Sequence, residues 1–168
     1  MDLKGLNAME PADFAAALDG LWEHSPWIAA SAASGKPFAT QEELAAAMWD
    51  AVTTAPEDQK LALLRAHPDL AGKLARSGGL TAHSASEQSS LGLDQLSDEE
   101  YEAFTSMNRD YREKFGFPFI ICVRDNTKAS IRAAFEHRLP KSREEELQIA
   151  LDEVRKIAEY RLRDRVTE

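Results

Sequence analysis

Only one stretch of this chain has the makings of a β-strand, and that confines the fold more than any other feature. Residues 117–124, F-P-F-I-I-C-V-R, form an apolar run rich in strand-forming side chains. A lone strand has no partner for its backbone N–H and C=O groups, so it cannot found a sheet. The run therefore reads as a buried extended connector. The sequence around it has the period of amphipathic helix.

Phe14, Ala17, Leu18 and Leu21 lie on one stripe of a predicted helix over residues 11–22, and S-P-W and S-G-K-P after it mark loop. Thr40 and Glu43 have capping-box spacing and open a helix whose face is Leu44, Ala47, Met48 and Ala51. Pro56 suits the first position of a helix carrying Leu61 and Leu64. That helix ends at His67, because Pro68 disfavours the α conformation in its predecessor. A short helix through Leu70 and Leu74 is stopped by Gly78-Gly79. Ser84 to Glu87, Ser97 to Glu100 and Ser142 to Glu145 repeat the capping-box spacing. The second of these opens a helix with Tyr101, Phe104, Tyr111 and Phe115, ended by Gly116 and Pro118. Asn126 starts a helix through Ile131, Ala134, Phe135 and Leu139, and the last helix runs to about Arg165. There is no repeat and no long linker. The expectation is one all-α domain over residues 1–168, a bundle of about eight helices with one extended connector.

Composition bounds the function. Hydrophobic residues at 43% and charged residues at 29% suit a soluble globular protein. A net charge of −9 argues against nucleic acid and against anionic membrane as partners, since both need a basic face. No apolar run approaches the roughly 20 residues of a membrane span. The opening M-D-L-K-G-L lacks the apolar core of a signal peptide. Cys122 is the single cysteine, which excludes an intrachain disulfide and points to a reducing compartment, the cytoplasm.

Three side chains could carry chemistry. Arg161 lies roughly 20° from Val154 on the apolar stripe of the last helix, at about 100° per residue. Arginine cannot discharge, so burial demands an anion, from the protein or from a ligand. Alternatively the helix end leaves the core and the guanidinium snorkels to water. His67 falls three residues after Leu64 and can face inward, as an acid or base poised near neutrality or as an ordinary capping histidine. Glu87 is either a catalytic carboxylate or the N3 residue of the Ser84 capping box. His67, His83 and Glu87 together could bind a metal, but His83 precedes the proposed N-cap and need not face Glu87. Cys122, in an apolar run, reads as an inert buried thiol.

Three separated motifs resemble one family. They are A-H-P-D-L-A-G-K around His67-Pro68, S-A-S-E-Q over residues 84–88, and F-G-F-P-F-I-I-C-V-R over residues 115–124. In this order they are similar to the OHCU decarboxylases, where OHCU is 2-oxo-4-hydroxy-4-carboxy-5-ureidoimidazoline, a product of urate oxidation. The resemblance implies an all-helical carboxy-lyase, a homodimer with no metal or organic cofactor, that converts OHCU to (S)-allantoin. It implies catalytic roles for His67, Glu87 and Arg161. It also implies that Pro68, Ser84, Ala85, Ser86, Glu87, Gln88, Phe119, Ile120, Ile121, Cys122, Val123 and Arg161 line the substrate, partly through backbone groups. Two other classes stand beside it: a helical interaction module in which His67 and Glu87 serve only as caps, and a metal-dependent hydrolase using His67, His83 and Glu87.

Overall fold

Ten α-helices and two short 3-10 segments carry most of the backbone hydrogen bonds of residues 1–168 in this computed structural model. The chain divides into two compact units: residues 1–66 with 155–168, and residues 67–154.

The first unit holds α1 (Leu3–Ala8), α2 (Pro11–Ala17), α3 (Trp27–Ala32), α4 (Gln41–Thr53), α5 (Glu57–Arg65) and the last turns of α10 (Arg143–Arg165). Helix α3 packs on α2 and on α4, and buries Ile28, Ala29 and Ala32 beside Phe14, Leu44, Met48 and Val52. Each such large side chain contributes roughly 1.5–3 kcal/mol by leaving water. The helix expected over residues 11–22 stops at Ala17. Residues 18–25 instead form turns, with Gly20 at φ +82, a conformation that suits glycine. The S-P-W segment is the start of α3 rather than loop. Pro26 is its N-cap, a position where a missing N–H costs nothing. Helix α1 has no counterpart in the sequence reading. Asp2 caps it by accepting from Gly5 N–H at 2.6 Å.

The second unit holds α6 (Lys73–Ser77), α7 (Ala82–Ser90), α8 (Asp98–Phe115), α9 (Lys128–Arg138) and the first turns of α10. The box at Ser97 and Glu100 is complete, and Gly116, at φ +78, ends α8 as expected. Ser142 and Glu145 likewise exchange both bonds, at 2.9 and 3.2 Å. Helix α9 starts at Lys128, two residues later than expected, with Thr127 as its cap. Residues 117–122 lie outside any helix and are buried, and pass through Cys122, whose backbone is extended, into a 3-10 turn at Val123–Asp125. Phe119 stacks on Phe135 with ring centroids 3.7 Å apart, and Tyr111 meets Phe115, Phe117 and Phe119.

One expected cap is wrong. Helix α7 starts at Ala82, and its N-cap is Thr81, whose Oγ1 accepts from Ser84 N–H at 3.3 Å. Ser84 is therefore not a cap, and Glu87 lies mid-helix rather than at N3. T-A-H-S and S-A-S-E both offer a hydroxyl three residues before a polar side chain. Starting at Thr81 buries Ser84 and Gln88 one turn apart on the same face. Thr81→Ala is expected to lower stability by about 1 kcal/mol in denaturant unfolding, as the loss of a capping hydroxyl does. A start at Ser84 would make that substitution neutral.

Candidate active site

The chain leaves α5 through Ala66 and reaches His67, which is 7% exposed. The next residues are fixed one after another. Gln88 Oε1 accepts from Ala71 N–H at 2.8 Å, and Gln88 Nε2 donates to Asp69 C=O at 3.3 Å. Asn108 Nδ2 donates to Leu70 C=O at 2.9 Å, and Arg112 pairs with Asp69 at 2.6 Å. These bonds hold Ala71 at φ +52, where a Cβ is disfavoured by roughly 1–2 kcal/mol. A strained residue pinned by its surroundings is a mark of pre-organisation. Asn108 Oδ1 is buried and has no protein hydrogen-bond partner.

Gln88 ties this loop to α7, so the structure joins the His67 turn to the helix that carries Glu87. Glu87 is half-buried, and its place inside α7 removes the capping explanation for it. His83 is in the same helix, one turn before Glu87, rather than ahead of the cap. No three His, Cys, Asp or Glu side chains converge as metal ligands, so His67, His83 and Glu87 do not form the set considered from the sequence. Of the other α7 residues named above, Ser84 is buried, Ala85 is half-buried and Ser86 is exposed. The α7 helix packs against the turn Val123–Asp125, which brings S-A-S-E-Q beside the end of the connector.

Along the connector, several peptide groups are already engaged. Ile120 C=O accepts from Arg138 Nη1 at 2.7 Å, and Cys122 N–H donates to Glu153 at 2.9 Å. Cys122 C=O accepts from Asn126 Nδ2 at 2.8 Å. Burial, reinforced by Asp125, pushes the Cys122 thiol up to about 11, so it stays a protonated, unreactive thiol near neutrality.

Arg161 belongs to the first unit and is 1% exposed. Its Nη1 donates to Glu23 Oε2 at 2.9 Å and to Gly20 C=O at 3.0 Å. The guanidinium therefore does not snorkel to water. The anion that burial demands is at least in part Glu23, itself buried in the turn between α2 and α3.

The sequence reading missed Glu23, Asn108, Arg138, Glu146 and Glu153. Two of them carried a legible signal. Arg138 follows Ile131 and Phe135 at helical spacing, and Glu146 precedes Ala150 by one turn. Both are charges on an apolar stripe, like Arg161. Glu23 has no such mark, because no helical period runs through residues 18–25.

The second unit thus presents a buried imidazole on a pinned turn, a carboxylate on the helix bonded to that turn, and a buried extended backbone against the same helix. These are parts for proton transfer and for reading amide edges. Comparison with known proteins points the same way. A family model described as OHCU decarboxylase matches residues 7–163. The 2-oxo-4-hydroxy-4-carboxy-5-ureidoimidazoline decarboxylase of Haloferax volcanii is 43% identical over 165 residues, covering 98% of this chain and 96% of its own length. The crystal structure of (S)-allantoin synthase aligns with a TM-score of 0.79 and 35% identity over 99% of this chain, which spans only 54% of that longer one. An OHCU decarboxylase crystallised in the presence of (S)-allantoin aligns with a TM-score of 0.68 and 27% identity, over 84% of this chain and 91% of its own.

Proposed function

This chain belongs to the OHCU decarboxylase family, and from that premise we propose that it decarboxylates OHCU to (S)-allantoin in urate degradation, as one catalytic domain over residues 1–168. The observation that carries this reading is the pinned His67 turn bonded through Gln88 to the Glu87 helix.

The chemistry asks little of the protein. OHCU carries its carboxylate one carbon from a ring C=N bond. When the C–CO2 bond breaks, its electron pair flows into that bond, and a proton then completes allantoin. The substrate is its own electron sink, so no metal or organic cofactor is needed. The protein supplies positioning, charge and a proton delivered to one face. His67 hydrogen-bonds the reacting centre and takes part in the proton transfer. Glu87 keeps the imidazole charged or holds the ureido N–H groups. Pro68, Ser84 to Gln88 and Phe119 to Val123 line the substrate. Gln88 does so while also holding the His67 turn. Arg161 pairs with a substrate oxygen or carboxylate. Its support is the family resemblance and a buried guanidinium that pairs with Glu23 within its own unit.

The protein acts as a homodimer in the cytoplasm. The resemblance supports the dimer, and the lone cysteine supports the compartment. No helix is long and apolar enough to cross a membrane. Release of CO2 from freshly prepared OHCU tests the activity. The protein is expected to accelerate it above the spontaneous decay in proportion to its concentration, and a rate that never exceeds the buffer control would refute the assignment.

A further inference from the structure

Arg138 closes α9 with its side chain buried, and it faces Glu146, which is 0% exposed. Arg138 Nε donates to Glu146 Oε1 at 3.0 Å and Nη2 to Oε2 at 2.9 Å, while Tyr111 OH donates to Oε2 at 2.5 Å. Burial, and then the bond to Glu146, hold the Tyr111 phenol far above its usual range, so it stays a protonated donor. A buried ion pair is a poor way to gain stability, since packed apolar groups of the same volume often do as well or better. This one has a further partner. The other edge of the guanidinium donates to Ile120 C=O at 2.7 Å, and its Cζ lies over the Phe119 ring, 4.2 Å from the ring centre. Lysine could not grip a carboxylate with one edge and a carbonyl with the other.

Two residues further on, Glu153 accepts from Cys122 N–H at 2.9 Å. Both peptides that flank Ile121 are thus held, each by one end. These peptides are trans, and in a trans peptide the C=O and N–H point in opposite directions. Fixing Ile120 C=O on Arg138 therefore aims Ile121 N–H away from Arg138. Fixing Cys122 N–H on Glu153 aims Ile121 C=O away from Glu153. Each charged partner also polarises the peptide it holds, which strengthens the donor or acceptor at the far end.

We propose that Arg138 and Glu153 are positioning residues that orient the backbone N–H and C=O of Ile121 as a donor–acceptor pair for the amide edge of the substrate. This rests on the reading that residues 119–123 line the substrate. Glu146 and Tyr111 serve the pair by keeping the guanidinium in register.

The test uses the whole chain, with OHCU turnover and (S)-allantoin binding by calorimetry as separate readouts. Glu153→Ala, at a half-buried position, is expected to stay folded. It should raise both KM and the (S)-allantoin Kd about tenfold, with a smaller change in kcat. Glu153→Gln retains an acceptor oxygen and should recover most of that loss. Arg138→Met alone strands the Glu146 charge, so the informative variant is Arg138→Met with Glu146→Leu and Tyr111→Phe. This neutral core should melt near the parent yet keep the weakened KM and Kd. A purely structural role predicts instead that both constants recover with the melting temperature. If the parent is active and both the Glu153→Ala and the neutral-core variants match it, the positioning role is overturned and the function stands. If the parent neither turns over OHCU nor binds (S)-allantoin, both readings fall.

Discussion

His67→Asn leaves the chain folded and lowers decarboxylation on the order of 10²-fold or more, the usual cost of losing an acid/base group. Asparagine can hydrogen-bond from a similar position but cannot exchange a proton near neutrality. The fold is expected to survive because three other side chains hold the turn. Gln88 holds Asp69 and Ala71, Asn108 holds Leu70, and Arg112 holds Asp69. The two effects are separable: a thermal melt near that of the parent, with the rate constant collapsed. A variant that melts normally and turns over at the parent rate would reduce His67 to a structural residue of the turn after α5.

Arg161→Lys is expected to be nearly as damaging to activity, for a different reason. The side chain is 1% exposed, and one of its nitrogens already serves both Glu23 and Gly20 C=O, at 2.9 and 3.0 Å. Lysine keeps the charge, so Glu23 is not left buried and unpaired. That loss would cost roughly 3–5 kcal/mol in an Arg161→Met variant. Lysine offers a single ammonium in place of a planar fork. It cannot reproduce the planar, fixed set of donors by which a guanidinium serves several acceptors at once. The expected result is a folded protein by circular dichroism with activity lowered on the order of 10²-fold, the scale of one lost charge-assisted contact to the reacting group. Full activity in the lysine variant would confine Arg161 to its pairing with Glu23.

Which of these features could be read beforehand follows from how local their causes are. The caps at Thr40, Ser97 and Ser142 are chemistry between residues three apart, and the structure makes all three. Even so, Glu43 returns its bond to Ala39 N–H rather than to the cap itself. Thr81 won over Ser84 because of burial, which no local pattern records. Pro26 opens a helix that the dipeptide alone suggests is loop. The connector was legible as a buried extended run, since an apolar stretch without a partner strand has few other options. That its carbonyl at Ile120 meets Arg138 was not. The positive φ of Ala71 is imposed by Gln88 and by its neighbours, and alanine itself gives no hint of it. Arg161 was legible as a charge on an apolar stripe. Glu23, 138 residues away in the chain, was not, because pairing over that distance is decided by the fold.

The handedness of the product tests the central claim most directly. OHCU decays unaided in water, and that route has no reason to prefer either face, so the allantoin it leaves should be racemic. Catalysis at a pinned histidine should deliver the proton to one face only. Circular dichroism of allantoin formed with the protein present is predicted to show the signal of the (S) enantiomer, growing as OHCU is consumed, against a flat control without protein. Allantoin that forms faster but remains racemic, or that forms at the control rate, would contradict the account.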